Sequence, residues 1–381
     1  MTHPHHNLKY FHKSRLQHRI SHWRWQQLHI DPPLLVFLLA LAGIGLFILF
    51  SASNENMDVV IKQTSRLLVS FLVMLIFAQI PPKRYHQWAP WIYVVGLFLM
   101  IAVLFFGKGD KGVRRWLDFG LFNFQPSEIM MLAVPAMISR YLSDKQIPPK
   151  IIPLIYSCLL LSVPVVLTAK QPDLGTAIII AASGLCVLLL AGLNWRLIVS
   201  LIGLAALSTP VLWHFMHQYQ RERVLTFLNP ERDPLGSGYH IIQSKIAIGS
   251  GGLFGKGWLH GTQSHLQFLP AHATDFIFAV TGEELGFIGC AIMLTLFLAI
   301  FGRSLYLSSR AQDTFTRLLS GSLSLTFIIS ALINIGMVVG MLPVVGVPLP
   351  LVSYGGSSMV TIMAGFGIIM STHTHRKLWS S

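Results

Sequence analysis

The sequence predicts an all-α polytopic membrane protein: a bundle of about ten transmembrane helices with one long extracytoplasmic loop between spans seven and eight. Composition is the first observation, because 53% of the 381 residues are hydrophobic and 11% are charged, whereas soluble domains average about 25% charged residues. The second observation is that apolar runs recur between Leu34 and Met370, each long enough to cross a bilayer core as a helix. A mean hydropathy of +0.61 agrees with them. These observations exclude a soluble protein.

The apolar runs place the spans in order. We predict them at 34–52, 64–80, 88–107, 126–142, 151–169, 174–193, 197–216, 276–302, 318–342 and 351–371. Residues 1–33 are basic and no small-residue cleavage site follows the first apolar run, so we expect the first span to be retained. An even number of spans puts both tails, 1–33 and 372–381, on one side, and their basic residues predict that side to be cytoplasmic. The transmembrane domain at 34–371 would then lie in the cytoplasmic (inner) membrane.

Some basic residues contradict the charge rule for membrane topology. The exceptions after span three and between spans seven and eight are Lys108, Lys111, Arg114, Arg115, Arg221, Arg223, Arg232, Lys245 and Lys256. Basic residues on the outer face indicate an anionic ligand there, with solvated loop charges as the alternative. The net charge of +13 is otherwise explained by topology and by contact with anionic membrane lipids, and no nucleic-acid-binding module is visible.

The connection at 217–274, which we expect to be a large periplasmic loop, is the only long one. It contains turn signals at 229–230 and 233–234 and a glycine-rich stretch at 249–257. Residues 240–248 have the spacing of a short amphipathic helix at the membrane surface. Long loops in compact domains tend to be functional.

Acidic residues at the edges of spans are the main candidates for chemistry, because an unpaired charge there costs several kcal/mol. Asp275 opens span eight at the outer face, with Thr274 as an expected cap. A helix N-terminus stabilises the carboxylate anion whereas desolvation raises its pKa, and the sequence leaves the sum of these effects open. Glu128 and Asp173 open spans four and six from the same side. Asp173 either caps its helix or pairs with an outer-face base, and all three acids could line one outward-facing cavity.

Two further acids lie deeper in span eight. On a regular helix Glu283 is about 80° from Asp275 and Glu284 is about opposite, so at most one of them shares the cavity. We favour an interhelical hydrogen bond for Glu284. The last span opens on the sequence SYGGSS at 353–358, whose backbone amides could bind phosphate, with close helix packing as the alternative.

Familiar catalytic motifs are absent from the sequence. The patterns GxxxxGK[ST], HExxH and GxSxG do not occur. Nucleotide-driven transport, zinc proteolysis and a serine hydrolase therefore lose support.

Several motifs carry a resemblance to a known family, and the match covers nearly everything after Ile30. They are RRWL at 114–117, FQPSE at 124–128, KQPDLGT at 170–176, GYHIIQSKIAIG at 238–249, HATDFIFA at 272–279 and PLPLVSYGGSS at 348–358. With ten spans, this set resembles the SEDS family of shape, elongation, division and sporulation proteins. The resemblance implies a peptidoglycan glycosyltransferase that polymerises lipid II into glycan strands during cell elongation and rod-shape maintenance. It also implies a class B penicillin-binding protein and other membrane proteins of the elongation complex as partners.

The resemblance assigns roles to individual residues. The family aspartate that matches Asp275 is held essential for polymerisation, and a carboxylate there could deprotonate the acceptor sugar's 4-hydroxyl. Cationic groups would stabilise the departing pyrophosphate. The residues that we expect to contact substrate are Arg114, Arg115, Trp116, Glu128, Asp173, Arg221, Arg223, Lys245, Glu283 and Ser357. The sequence requires no cofactor. Carboxylate and pyrophosphate oxygens are ligands that suit Mg²⁺ or Mn²⁺, so such an ion could bridge them.

Three alternatives remain open at this point. A division member of the same family would perform the same chemistry at the septum, although the loop sequences and the ending at 373–377 favour an elongation member. A lipid II flippase or other transporter would need ionisable groups reachable from both leaflets, whereas the charges here cluster on one face. A scaffold that only recruits the penicillin-binding protein would tolerate neutralisation of Asp275.

Overall fold

The fold is almost entirely helical. The computed structural model describes residues 29–107, 115–118, 123–193, 199–200, 203, 207, 213–214, 218–232, 237–265 and 271–375. The helices are α1 Pro32–Ala52, α2 Met57–Gln79, α3 Pro82–Phe106, α4 Pro126–Ser143, α5 Ile151–Lys170, α6 Leu174–Leu190, α7 Gln218–Leu228, α8 Ser237–Ser250, α9 Thr262–His265, α10 Ile277–Ser309, α11 Thr314–Val339 and α12 Ser357–Thr374. A short antiparallel pair, β1 Leu117–Asp118 with β2 Asn123–Phe124, and a 3₁₀ turn at Pro230–Arg232 complete the described elements.

The predicted fold class is confirmed, and the number of spans stays a prediction. Among the described residues, six helices are long and apolar enough to cross a membrane, namely α1, α2, α3, α5, α10 and α11. Helices α4, α6 and α12 coincide with three further predicted spans. The predicted span at 197–216 lies mostly outside the described residues, as do most of the predicted tails.

Polar residues at the start of several apolar helices explain where those helices begin. Asp31 caps α1 by accepting a hydrogen bond from the Leu34 amide at 3.0 Å, with prolines in the first turn. Asn56 caps α2 in the same way. Helix α11 opens with a capping box between Asp313 and Thr316, which pairs amides that would otherwise lack partners.

The buried apolar side chains form two clusters. One is built mainly by α1, α2, α10, α11 and α12, with Leu38, Phe297 and Phe366 at its centre. The other is built by α3, α4, α5 and α6 around Met100 and Met130. Helix α11 packs against α4 and α6 as well as α10 and α12, and therefore joins the two clusters.

The predicted start of span ten was wrong. Span ten was predicted from residue 351, but 351–356 form turns and α12 begins at Ser357. The predicted periplasmic loop at 217–274 contains α7, α8 and α9, and its placement outside the membrane stays a prediction. The predicted helix at 240–248 exists within α8, yet it packs against α10 and α11 and buries Ile241, Ser244 and Ala247. Helix α8 is thus part of the packed bundle.

Candidate active site

A cavity of about 430 Å³ lies between the two apolar clusters. Its polar lining comes from the first turns of α4 and α12, from the segments just before α6 and α10, and from the stretch that begins at Arg115. These residues are Arg115, Trp116, Glu128, Asp173, Asp275 and Ser357. Its apolar lining lies one to three turns deeper along the same helices and on α11, and includes Leu132, Ile179, Phe327 and Phe366. The cavity therefore has a polar mouth and an apolar interior.

Asp275 lies in a tight turn immediately before α10. The turn starts at Ala271, whose φ of 55° is in the left-handed region, and the Ala271 carbonyl accepts hydrogen bonds from the amides of Thr274 and Phe276 at 3.0 and 3.2 Å. Thr274 was predicted to cap the helix, and this is wrong: its hydroxyl donates to the Ala271 carbonyl at 3.2 Å, and Phe276 occupies the cap position. The Asp275 side chain lines the cavity.

Two opposing effects act on the Asp275 carboxyl group. Burial raises the pKa of Asp275, and the positive charge of Arg223 on α7 partly offsets this increase. The net effect is a raised pKa, which makes the carboxylate a stronger base. Arg223 was predicted to contact substrate. In the structure its charge acts on the Asp275 carboxyl group, but Arg223 is not among the described residues that line the cavity.

Asp173 performs both of the roles left open by the sequence. It caps α6 by accepting from the amide and the hydroxyl of Thr176 at 3.2 and 2.9 Å. It also faces the Arg115 guanidinium, with an N–O distance of 3.9 Å, and accepts a hydrogen bond from the side-chain amide of Gln125 at 2.7 Å. Arg115 in turn donates to the carbonyl of Pro172. The Arg115–Asp173 pair therefore fixes one wall of the mouth.

Glu128 and Arg115 each have one buried polar atom that makes no hydrogen bond within the described residues. The Glu128 Oε1 atom accepts from the Ser357 hydroxyl at 3.0 Å. Its Oε2 atom and the Arg115 Nε atom are buried and have no hydrogen-bond partner among the described residues. Buried polar atoms without partners are rare and costly. In a cavity wall they indicate contacts that a ligand would complete.

Three other predicted contacts lie elsewhere. Arg221 donates to the carbonyls of Trp213 and His214 at 2.8 and 2.6 Å, and so is used in fixing the chain before α7. Lys245 is exposed on α8 and its side chain crosses Gly340. Arg114 lies outside the described residues. Of the described basic residues predicted to bind substrate, Arg115 alone lines the cavity.

The structure does not bring Glu283 to the cavity. Its fully buried carboxylate accepts from Lys256 Nζ at 2.7 Å, from the Thr262 hydroxyl at 3.0 Å and from the Gln263 amide at 3.0 Å. Glu283 therefore does not make the expected substrate contact. Its hydrogen bonds attach the 251–263 segment to α10. Glu284 accepts from the Ser51 hydroxyl on α1 at 2.5 Å, the interhelical bond expected from the sequence.

Within the described residues, no group of three or more His, Cys, Asp or Glu side chains is arranged to hold a metal ion. Both carboxylate oxygens of Asp173 already accept hydrogen bonds. Glu128 Oε2 and the Asp275 carboxylate are the cavity oxygens best able to meet a cation that arrives with an anionic ligand.

Sequence reasoning missed Gln125, which joins Ser127 and Asp173, and Asn334, which lies toward the C-terminal end of α11. Asn334 is fully buried and donates to the carbonyls of Asp275 and Val347 at 2.8 and 2.7 Å. An amide inside a long apolar run was a usable signal, because polar groups in a membrane span need partners.

Comparisons with known sequences agree on one family. The family model FTSW_RODA_SPOVE, described as "Cell cycle protein", matches residues 32–378. The chain is 52% identical over 357 residues to the peptidoglycan glycosyltransferase MrdB of Escherichia coli (strain K12), and this alignment covers 93% of this chain and 96% of that relative. It is 34% identical over 370 residues to the probable peptidoglycan glycosyltransferase FtsW of Trichlorobacter lovleyi, which covers 91% of this chain and 94% of that relative.

Solved structures give the same result. A chain from a peptidoglycan synthase complex, studied for its coordination of polymerization and crosslinking, superposes with a TM-score of 0.80 at 32% identity and covers 91% of this chain and 98% of that one. The Rod shape determining protein RodA of Thermus thermophilus superposes with a TM-score of 0.70 at 26% identity, covering 91% of this chain and 98% of that one.

Proposed function

This chain belongs to the FTSW_RODA_SPOVE family of cell cycle proteins, the family that its motifs resemble, and from this premise we propose that it is a peptidoglycan glycosyltransferase that polymerises lipid II. The greater identity to the MrdB relative than to the FtsW relative favours cell elongation and rod-shape maintenance over division. The product is a glycan strand and the leaving group is a polyprenyl diphosphate.

The observation that carries this proposal is the cavity with a polar mouth and an apolar interior. Lipid II combines sugars and a pyrophosphate with a long isoprenoid chain. The N-terminal ends of α4, α6 and α12 lie at the mouth, where the partial positive charge of a helix N-terminus favours an anionic group. Arg115 adds a full positive charge there. The apolar residues deeper in the cavity suit the first isoprene units.

The reaction can be written with residues that line the mouth. The Asp275 carboxylate takes the proton from the 4-hydroxyl of the acceptor sugar, and that oxygen forms a bond to the anomeric carbon of the lipid-linked donor. The bond from the anomeric carbon to the pyrophosphate oxygen breaks, and the electron pair leaves with the polyprenyl diphosphate. Arg115 and the helix amides stabilise the charge that develops on this group. The raised pKa of Asp275 supports its role as base.

Charge balance supports a divalent cation as part of the substrate complex. The described lining has three carboxyl groups, on Glu128, Asp173 and Asp275, against the single guanidinium of Arg115. A pyrophosphate would add further negative charge, which a Mg²⁺ or Mn²⁺ ion would offset. Asp275 and Glu128 would hold such an ion, which would offset the negative charge of the leaving group.

The proposed setting is the outer face of the cytoplasmic membrane, with both termini cytoplasmic. The proposed partner is a class B penicillin-binding protein that crosslinks the strands, together with other membrane proteins of the elongation complex. The superposed chain of a complex that couples polymerization to crosslinking supports this assignment.

The test is glycan formation from purified lipid II by the reconstituted protein with its penicillin-binding partner. We expect the wild type and Asp58→Asn to form polymer and Asp275→Asn to form none. Asp58 is the matched control because it is exposed in the first turn of α2. A chelator should stop the wild type, and added Mg²⁺ or Mn²⁺ should restore it. A fully active Asp275→Asn variant contradicts the assigned base, and an inactive wild type beside an active control polymerase favours a transporter.

A further inference from the structure

Three consecutive backbone carbonyls around Asp275 are each held by a donor from another part of the chain. The pairs are the Tyr354 amide to the Ala273 carbonyl at 2.9 Å, the Ser353 hydroxyl to the Thr274 carbonyl at 2.5 Å, and Asn334 Nδ2 to the Asp275 carbonyl at 2.8 Å. The turn that presents the carboxylate is therefore fixed from outside, in addition to its own hydrogen bonds.

Asn334 is the donor whose burial would cost the most free energy if its hydrogen bonds were lost. Its side chain is fully buried in α11, and its amide nitrogen also donates to the Val347 carbonyl at 2.7 Å. Burying an amide is unfavourable unless its hydrogens are bonded. Both hydrogens are used here, and they join the Asp275 turn to the loop that precedes α12.

Ser353 is held in turn by a second buried side chain. Gln63 on α2 is 1% exposed, donates to the Ser353 carbonyl at 3.1 Å and accepts from the Gly355 amide at 3.3 Å. The Ser353 hydroxyl oxygen also accepts from the Leu349 amide at 2.8 Å. The 349–355 loop is thereby fixed between α2 and the Asp275 turn.

We propose that Asn334 and Ser353 are positioning residues for Asp275, and that Gln63 keeps Ser353 in place. The inference rests on the proposed function, because it needs Asp275 to act on the substrate. A displacement of about 1 Å in a reacting group can lower the rate about 100-fold. Contacts that fix three carbonyls in succession prevent such a displacement, and none of these side chains needs to touch the substrate.

A role limited to stability would have different consequences. It would change the unfolding temperature and leave the turnover of each folded molecule unchanged. Loss of positioning lowers kcat while KM for lipid II stays nearly unchanged, because the binding surface is intact and only the reacting group is displaced. Arg223, Arg115, Glu128 and Asp173, the charged groups around Asp275, stay unchanged in the variants below.

The first variant is Ser353→Ala, with Ser324→Ala as its matched control. Both serines are buried, but the Ser324 hydroxyl donates at 2.8 Å to the Ser320 carbonyl within its own helix, α11. For Ser353→Ala in the full complex we expect kcat to fall about tenfold or more at a nearly unchanged KM for lipid II. Ser324→Ala should match the wild type.

The second variant is Asn334→Leu, which keeps the branching at Cγ with a larger side chain and removes both donated bonds. We expect a larger loss of kcat than for Ser353→Ala at a nearly unchanged KM, with rates normalised to folded protein by thermal unfolding in detergent. The inference is overturned if both variants keep the wild-type kcat while the wild type polymerises lipid II. A wild type that forms no glycan overturns the proposed function, and this inference with it.

Discussion

At the scale of single residues, burial and the charge of Arg223 together set how acid-sensitive the proposed base is. Burial raises the pKa of Asp275 and Arg223 lowers it. The base acts in its deprotonated form, so the rate falls as pH decreases through this pKa. Arg223→Gln removes the opposing charge, and we expect the acid limb of the rate of glycan formation to move to higher pH.

Arg223→Lys is the matched control for that prediction, because it keeps the positive charge. Its acid limb should stay close to that of the wild type. A limb in Arg223→Gln that stays in place, or that moves to lower pH, would show that the two groups are not coupled. The profile is measured as the rate of glycan formation from neutral pH down into the acid range in which carboxyl groups titrate.

A second prediction concerns Lys256 and the buried Glu283, which lie 2.7 Å apart with side chains 27% and 0% exposed. Lys256→Met leaves a buried carboxylate without its counter-ion, which costs about 3–5 kcal/mol. Glu283→Gln leaves a lysine that can turn toward water and keeps an acceptor for Thr262, at a cost of about 1–3 kcal/mol. The free energy of unfolding in detergent should therefore fall more for Lys256→Met, and the reverse order would contradict this account.

Sequence reasoning found the acids of the site and missed the groups that hold them. Glu128, Asp173 and Asp275 were predictable, because carboxylates at the ends of apolar runs are costly without a function. Glu283 was placed by assuming that Asp275 and Glu283 share one regular helix, but Asp275 precedes α10. Asn334 pairs with residues distant in sequence, and such a pairing cannot be predicted from local pattern.

At the scale of elements, α10 is interrupted at Gly286 and the glycine-rich segment 251–257 fills the gap. The backbone of Gly286 is non-helical, with φ 65° and ψ −161°. The freed carbonyls of 283 and 284 accept from the amides of 256 and 257, each at 3.0 Å, and the amides of 287 and 288 donate to 252 and 253. Backbone groups in an apolar setting must be paired, so the two segments depend on each other.

Gly255 tests this dependence. It has φ +80°, and a Cβ atom there would lie 2.0 Å from the Glu284 carbonyl oxygen. For Gly255→Ala we expect a loss of about 3–5 kcal/mol in the free energy of unfolding, since overpacking adds to backbone strain. Gly252→Ala is the matched control, because Gly252 has φ +55° but nothing within 4 Å of the added carbon. It should lose only about 1–2 kcal/mol, and equal losses would show that backbone contact is unimportant.

Apolar runs predicted the positions of most helices because lipid-facing and buried residues are both apolar. They did not predict the turns at 351–356, whose residues are apolar enough to continue a span. Those turns are set by the hydrogen bonds of Gln63 and by the Tyr354 amide on the Ala273 carbonyl. Tertiary hydrogen bonds therefore define the start of α12, and hydropathy cannot detect them.

At the scale of the whole molecule, buried charges serve two separate purposes. Asp31 and Arg303 form a paired contact at 3.0 and 2.7 Å that joins α1 to α10. Lys256 and Glu283 join a loop to α10. Glu128 in the cavity differs, since one of its oxygens has no partner in the described chain. Paired charges assemble the bundle, and we expect the incompletely paired Glu128 to meet the substrate.

The topology of the chain depends on the predicted span at 197–216, because the side of the membrane occupied by α7, α8 and α9 follows from it. If this span crosses, Asn229 lies outside the cell and Lys145 lies inside, and both positions are exposed. In a chain whose three native cysteines are replaced by alanine, Asn229→Cys should react in intact cells with a membrane-impermeant maleimide. Lys145→Cys, its matched control, should react only after permeabilisation. Protection of Asn229→Cys in intact cells would place α7 in the cytoplasm, and Arg223 could then not act on an outward-facing Asp275.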